Sequence, residues 1–553
     1  MIITTLNKTN EVALRWREDG ERKEEKISFV DFKPYFYIED TEREKAYIRI
    51  RERGVNIRLE LFYERGDWVS LEGKRLKKVT WTPPLPAYTR IIRKEWEKTY
   101  EADVPFHYRY VVDNLESIPE YDLKKWYWDM EWQQGGDFDG MITALVIYDN
   151  IDKKMHNFHW FPPTAVGDYS DTHWRFESEK EMLVSFLTFI SHKDPDMMIS
   201  WFGSKFDLPK LIERLLANGL DPRNISPYNE VKGVYFDNQE GQLKLSKAVS
   251  HYTPIEQPIR GRIVLNLDVA FERQWNDSQR GTLPSMTLDY VAELVLGEKK
   301  MVSEKFPDKN EFFAKAWLEE SQTYMDYAKK DVELLVKIDE KNYLSESILA
   351  LQRLLIAPFD ACFYASNMGS IYFMRNADWK APTGKEGPKV DYQGAMIYDP
   401  SVEGTFGLHE NVAAFDFAGL YPSITIALNI SWETKSETET EFGINILTPR
   451  DFSEENEVNM LYYKTDKLGM LPKAVLELKQ LRNEYKKNMK EAKTDDEYYK
   501  WYNNQMAVKR LMASFYGIIG YQGFSWADID MAASITAGAR KAIRSAAFKV
   551  MEL

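Results

Sequence analysis

The chain has 553 residues, 44% hydrophobic and 29% charged, with a net charge of −14. That length exceeds a single core and implies about three to five domains. No apolar run is long enough to cross a bilayer, and the start, Met1-Ile-Ile-Thr-Thr-Leu, has no signal pattern, so a cytoplasmic protein with no membrane partner is expected. Cys362 is the only cysteine, which excludes an internal disulfide and a cysteine-based zinc site.

In chain order, residues 1–105 alternate apolar and charged side chains, as in Ala46-Tyr-Ile-Arg-Ile-Arg and Ile57-Arg-Leu-Glu-Leu-Phe. This is strand periodicity and predicts a β-rich N-terminal domain. Thr82-Pro-Pro-Leu-Pro-Ala reads as a linker or an edge. From 106 to 340 strands (Trp126-Tyr-Trp-Asp-Met-Glu-Trp, Met141-Ile-Thr-Ala-Leu-Val-Ile-Tyr) alternate with helical segments near 178–190 and 208–218, an α/β pattern. Residues 341–375 are helical in pattern. Strands return from about 376, and a glycine-bearing turn at 391–395 is expected before a new sheet. Two long helical patterns at 472–492 and 496–515 predict an antiparallel helical hairpin, and an Ala-rich helix follows at 530–552.

Four acids stand out. Asp129 and Glu131 are two apart in an aromatic strand, so both side chains lie on one face. Carboxylates there are costly unless a divalent cation pairs them. Asp207 sits in Phe206-Asp-Leu-Pro at the expected start of a helix. Tyr327 and Asp331 are four apart and share a helix face. Two metals on Asp129, Glu131, Asp207 and Asp331, spaced about 3.5–4 Å apart, can activate a water and stabilise the leaving oxygen of a phosphodiester. Tyr327 is placed to orient that water.

The negative net charge argues against a nucleic-acid partner, but such contact needs only a local basic face. Residues 473–510 supply one, including Lys473, Arg482, Lys486, Lys490, Lys509 and Arg510. Arg482 and Lys486 share a helix face, and Lys509 on the return helix is expected opposite them. Three such cations suit a triphosphate.

The acids resemble the 3′→5′ proofreading exonuclease of family B DNA polymerases. Phe176-Glu-Ser-Glu-Lys-Glu-Met-Leu, Gly261-Arg-Ile-Val-Leu-Asn-Leu-Asp and Leu288-Asp-Tyr-Val-Ala-Glu-Leu-Val-Leu-Gly agree with that family. Residues 414–423 (Ala-Phe-Asp-Phe-Ala-Gly-Leu-Tyr-Pro-Ser) and 505–517 (Gln-Met-Ala-Val-Lys-Arg-Leu-Met-Ala-Ser-Phe-Tyr-Gly) resemble its motifs A and B. The resemblance implies that Asp416 holds both polymerase metals and that the backbone from Phe417 to Leu420 lies along the triphosphate. It implies that Tyr421 stacks under the deoxyribose and excludes a 2′-hydroxyl, that Arg482, Lys486 and Lys509 hold phosphates, and that Tyr516 packs on the nascent base pair. Two positions depart from the family: Phe202 and Ala513 stand where it usually has Asn.

The fold class implied is multidomain α/β and α+β. It comprises an N-terminal domain (1–105, with 341–375 returning to pack on it) and an RNase H-like exonuclease domain (106–340). A partial palm (376–468 and 521–553) and helical-hairpin fingers (469–520) complete it. No Tyr-x-Asp-Thr-Asp motif follows motif B, and Asp528 and Asp530 read as non-catalytic. The expected protein is therefore the large N-terminal portion of a DNA-directed DNA polymerase, split or truncated, with an intact exonuclease. The expected cofactors are Mg²⁺ or Mn²⁺, two per active site. The expected partners are primer–template DNA, dNTPs, a C-terminal subunit or segment with motif C and thumb, and a sliding clamp reached through it. The alternatives are a stand-alone 3′→5′ exonuclease with a vestigial polymerase half, and a non-catalytic DNA-binding subunit.

Overall fold

The structure, a computed structural model, describes all residues except 53, 161–171, 278–280, 385–391, 395–406, 414–415, 448–457 and 553. Asp391 and Ala395 of the expected turn, and Ala414 and Phe415 of the motif A stretch, lie outside the described residues. The chain forms two compact units: residues 1–31 with 115–363, and residues 32–114 with 364–553. Residues 1–105, expected as one domain, are thus divided between them.

The first unit centres on a six-stranded mixed sheet. Its order is His173–Phe176, Lys154–Trp160, Ile142–Asp149, Lys125–Trp132, Met197–Ser200, Ile263–Asn266. Lys125–Trp132 pairs antiparallel with Ile142–Asp149 and parallel with Met197–Ser200. Its alternation sets the site: Trp126, Trp128 and Met130 are buried on one face, and Tyr127, Asp129 and Glu131 point to the other. The helix Ser321–Asn342 covers that second face. The Tyr127 hydroxyl donates to Asp339 Oδ2 at 2.6 Å and the Thr143 and Tyr324 hydroxyls meet at 2.8 Å, which fixes the helix along the strand.

Residues 1–31 form an antiparallel three-stranded sheet, Ile2–Leu6, Glu11–Glu18 and Glu21–Ser28. Arginines tie it to the turn after the helix Glu179–Lys193. Arg15 and Arg22 bridge to Asp194 at 2.9 and 3.0 Å, and Arg17 to Asp196 at 2.6 Å. Arg262 from the sheet completes the ring around Asp194 at 2.9 Å. The 341–375 stretch divides too. Leu344–Leu355 belongs to this unit, with Gln352 Nε2 donating to the Met1 carbonyl at 2.9 Å. Ala365–Asn376 belongs to the second unit, where Arg375 donates to the Val111 carbonyl at 2.6 Å.

In the second unit a four-stranded sheet runs Tyr35–Glu39, Arg75–Thr82, Val55–Val69, Tyr47–Glu52 around a core of Phe36, Ile38, Leu59, Val79, Trp81 and Trp96. The Pro-rich stretch is not a linker. Arg75–Thr82 is an internal strand, Trp81 is fully buried, and its indole donates to the Leu85 carbonyl at 3.1 Å, closing the turn into the 3₁₀ segment Pro86–Tyr88. Further along, Met470–Glu491 and Asp495–Ile519 form the helical hairpin, with Thr494 capping the second helix. Phe373, Trp432, Phe515, Phe524 and Trp526 make an aromatic core at its base. The final helix, Ile529–Met551, crosses Leu420–Ala427 closely. A Cβ on Gly538 would lie 2.5 Å from Ile424 Cγ2.

Asp194 carries a testable consequence. Burial alone would raise its pKa, but Arg262, Arg15 and Arg22 outweigh that and hold it at about 2. A depressed carboxylate contributes stability that is complete above its unfolded pKa of 3.8 and lost as pH falls through about 2. Asp194→Asn keeps a residue that tolerates the left-handed cap (φ 47°) yet removes the charge. Thermal unfolding at neutral pH is expected to show a deficit on the order of 2 kcal/mol for this variant, shrinking between pH 4 and 2. A deficit independent of pH would contradict the assignment.

Candidate active site

Asp129 and Glu131 reach the covered face through strand alternation, and a register shift between Glu131 and Trp132 interrupts the pairing beside Glu131. Asp331 arrives from the helix above, one turn after Tyr327. Carboxylate oxygens of Asp129, Glu131 and Asp331 lie within 4.8 Å of one another. Asp129 is half-buried, and Glu131 and Asp331 are 8% and 1% exposed. Asp207 is not part of that trio. It lines the same cleft as the first residue of the helix Asp207–Ala217, where the helix N-terminus favours an anion. Leu208, Leu211, Ile212 and Leu215 bury that helix's apolar face.

The loop before Asp207 is tightly built. The Phe202 carbonyl accepts from the amides of Lys205 and Phe206 at 2.9 and 3.1 Å, and Trp201 Nε1 donates to the Met286 carbonyl at 2.8 Å. At 203 only glycine fits, because a Cβ would fall 1.7 Å from Ser200 Oγ. The cleft measures about 380 Å³. Trp132, Trp201, Phe202, Phe206, Phe313 and Tyr327 form its aromatic walls.

Several lining residues were missed in the sequence, among them Lys300 and Asp289. Lys300 Nζ bridges Asp331 Oδ2 at 2.5 Å and lies 3.4 Å from the Tyr327 hydroxyl. Asp289 accepts from the Lys300 amide at 2.8 Å, turning the chain back after Gly297 ends the helix Leu288–Leu296 in a left-handed conformation. The one legible signal was the helix stop at Gly297 just before Lys299-Lys300.

Electrostatics follow from crowding. Burial raises Asp129 well above the carboxylate range, and Asp207 and Asp331 push it further. Glu131 rises through burial, then through Asp129 and Asp331. Burial lifts Asp207 to about 7. Asp331 is raised by burial and pulled back by Lys300. Burial works against the Lys300 ammonium, but Asp331, Tyr327 and Asp129 together raise its pKa. The donor set fits a divalent cation: three converging carboxylates, with Asp331 Oδ1 buried and lacking a hydrogen-bond partner.

In the second unit Asp416 and Phe417 are exposed, and Leu420 and Tyr421 open the helix Leu420–Ala427 after Gly419 in a left-handed turn. The rings of Tyr421 and Tyr516 are 4.4 Å apart at 40°, and the Tyr516 hydroxyl lies 3.2 Å from that of Tyr392. On the hairpin, Arg482 Nε donates to Gln505 Oε1 at 3.2 Å. Lys486 has a lowered pKa, first because of Arg482, then burial, Lys490 and Lys509. These cations therefore share one field, with Lys490 an addition to the expected set. Asp528 caps the final helix and bridges Lys435 at 2.7 Å, and Asp530 bridges the same lysine at 3.1 Å.

Comparison with known proteins matches these two regions. A profile of DNA polymerase family B, exonuclease domain, covers residues 130–291, and one of DNA polymerase family B covers residues 321–552. A DNA polymerase of Pyrococcus glycovorans is 27% identical over 462 residues, 80% of this chain and 53% of that protein. One from Desulfurococcus is 26% identical over 569 residues, 96% of this chain and 66% of that protein. The chain spans about half the length of the first curated relatives it matches. In fold it is similar to the family B DNA polymerase of the hyperthermophilic archaeon Pyrobaculum calidifontis, with a TM-score of 0.69 and 18% identity, over 100% of this chain and 71% of that one. With both regions matched, the chain belongs to DNA polymerase family B and includes its exonuclease domain.

Proposed function

We propose that the first unit carries a divalent-metal-dependent 3′→5′ exonuclease acting on single-stranded DNA, and that the second carries the nucleotide-holding side of a DNA polymerase site. The convergence of Asp129, Glu131 and Asp331, with Asp207 across one cleft, supports the first half most directly. These four acids are the ligands on this reading, for Mg²⁺ or Mn²⁺, two per site. Bound there, the metal supplies an activated water and a Lewis acid for the leaving oxygen. Tyr327 orients the water through its hydroxyl, and Lys300 steadies Asp331 and that hydroxyl from one side. The aromatic walls exclude bulk water. The exonuclease domain, RNase H-like and expected over 106–340, lies in the first unit from Leu115 onward, because 106–114 belongs to the second unit.

For the second half, Arg482, Lys486 and Lys509 hold the triphosphate, helped by Lys490. Their mutual repulsion in the absence of an anion supports this. Asp416 is the metal carboxylate of the palm (376–468 and 521–553), the backbone of Phe417 and Leu420 flanks the triphosphate, and the hairpin (469–520) serves as fingers. Tyr421, stacked near Tyr516, is the sugar gate. Asp416 joins no carboxylate cluster among the described residues. Primer–template DNA and dNTPs are then substrates only once a C-terminal segment or subunit adds the missing carboxylate and thumb, and with it the contact to a sliding clamp.

Two outcomes are expected. Asp129→Ala with Glu131→Ala removes two ligands from the trio and should lower Mg²⁺- or Mn²⁺-dependent release of nucleotides from a single strand by at least about a thousandfold. Activity near the starting level would sink the exonuclease assignment. Tyr421→Ala, assayed with the completing segment present, should raise ribonucleotide incorporation relative to deoxyribonucleotide, because the ring's bulk is the barrier. Unchanged discrimination would move the gate elsewhere.

A further inference from the structure

Outside both sites, the four-stranded sheet of the second unit packs one face on its core and leaves the other open. On the strands Tyr47–Glu52 and Val55–Val69 the alternation is clean. Ile48, Leu59 and Leu61 turn into the core, while Tyr47, Arg49, Arg51, Arg58, Glu60 and Phe62 turn outward and are exposed. Tyr47 and Phe62 are 39% and 49% exposed. Register places Glu60 opposite Tyr47, so Arg58 and Phe62 are its diagonal neighbours on the same face. The guanidinium carbons of Arg58 and Arg49 lie 4.2 and 5.5 Å from the Tyr47 ring centroid, and Lys33 Nζ lies 5.9 Å from that of Phe62. Two features separate this face from an ordinary solvated one. Arg49 and Arg58 are direct cross-strand partners, and like charges directly opposite destabilise a strand pair. Glu60 offsets little of that, since its 3.8 Å contact with Arg58 joins two side chains that are each more than half exposed. Arg49 and Arg51 have no ion pair among the described residues. Charges that guard a sheet edge against pairing with another chain would account for Arg49 and Arg51 on the edge strand. They do not account for Arg58 and Phe62, which stand on the inner strand.

We propose that this open sheet face is an accessory site for a single-stranded polynucleotide: Tyr47 and Phe62 stack on bases, and Arg49, Arg51 and Arg58 take phosphates between them. Charge complementarity selects the partner, because the face gathers unpaired cations on a chain of net charge −14. A phosphate over the Arg49–Arg58 pair relieves their repulsion. Stacking reads no base edge, so binding is tolerant of sequence. Neither contact calls for a sugar hydroxyl, so DNA and RNA share the chemistry. The site requires neither catalytic reading above.

The test uses the full chain in EDTA, with labelled oligothymidylate and oligouridylate of about twenty nucleotides. Each strand also carries thio-substituted bases for photo-crosslinking. In the wild type, cross-links from at least one strand should map to Tyr47 or Phe62. Tyr47→Ala with Phe62→Ala should weaken binding of that strand about tenfold, whereas Tyr47→Phe, which keeps the ring, should bind as the wild type does. Arg49→Gln, Arg51→Gln and Arg58→Gln together should flatten the slope of log affinity against log salt by about two, since each phosphate contact on a single strand contributes about 0.7. The strand that both cross-links and loses affinity is the partner, which separates DNA from RNA. Absence of cross-links within 47–62 from either strand overturns the proposal, a result that needs no variant to fold. So do affinity and salt slope that stay at wild-type values in folded variants of both kinds.

Discussion

The first unit's carboxylate cleft depends on one electrostatic conflict. Asp129, Glu131, Asp207 and Asp331 share a cleft of about 380 Å³ in which three carboxylates converge, and Asp289 lies at its edge. Taking a carboxylate out of water costs several kcal/mol per ion even after relaxation. Neighbouring like charges add to that cost. Lys300 bridges Asp331 directly and eases the other three carboxylates through space without cancelling their charge. The raised pKa of each carboxylate expresses the unrelieved remainder. Such a cluster is costly to fold; a bound cation, as proposed, would offset that cost, and the scaffold around it has to be rigid. The aromatic face behind Asp129 and Glu131, with Trp126 stacked on Phe189 and its indole on Asp149, supplies that rigidity.

The same logic, with reversed sign, operates in the hairpin. Arg482 first, then burial, Lys490 and Lys509, depress the Lys486 ammonium. On the proposed reading each site gathers like charges that a ligand of the opposite sign would relieve: a divalent cation in the carboxylate cleft, a polyphosphate at the hairpin. Gln505, buried and neutral, holds Arg482 without cancelling its charge.

Local rules carried much of this in the sequence. Period-two alternation put Asp129 and Glu131 on one face, and a four-residue step put Tyr327 over Asp331, because both relations need only one element. The hairpin was legible because its helices are long and periodic. What escaped needed two elements or more. Lys300 is 31 residues from Asp331 and reaches it only through the turn at Gly297. Strand periodicity in residues 1–105 says nothing of which sheet a strand joins. That is decided by Arg15, Arg17 and Arg22 meeting Asp194 and Asp196, more than 170 residues away. The proline-rich stretch misled because proline marks a chain break as readily as it caps a strand, and only the burial of Trp81 distinguishes the two.

The central claim, that the carboxylate cleft is electrostatically incomplete without a cation, is tested most directly by thermal unfolding with and without Mn²⁺. A ligand that binds only the folded state stabilises it in proportion to the logarithm of its concentration. The wild type should gain several degrees as Mn²⁺ rises from micromolar to millimolar. The neutral Asp129→Asn, Glu131→Gln variant should be more stable than the wild type without metal and should lose the response. A wild type indifferent to Mn²⁺, or a neutral variant less stable in its absence, would contradict the account.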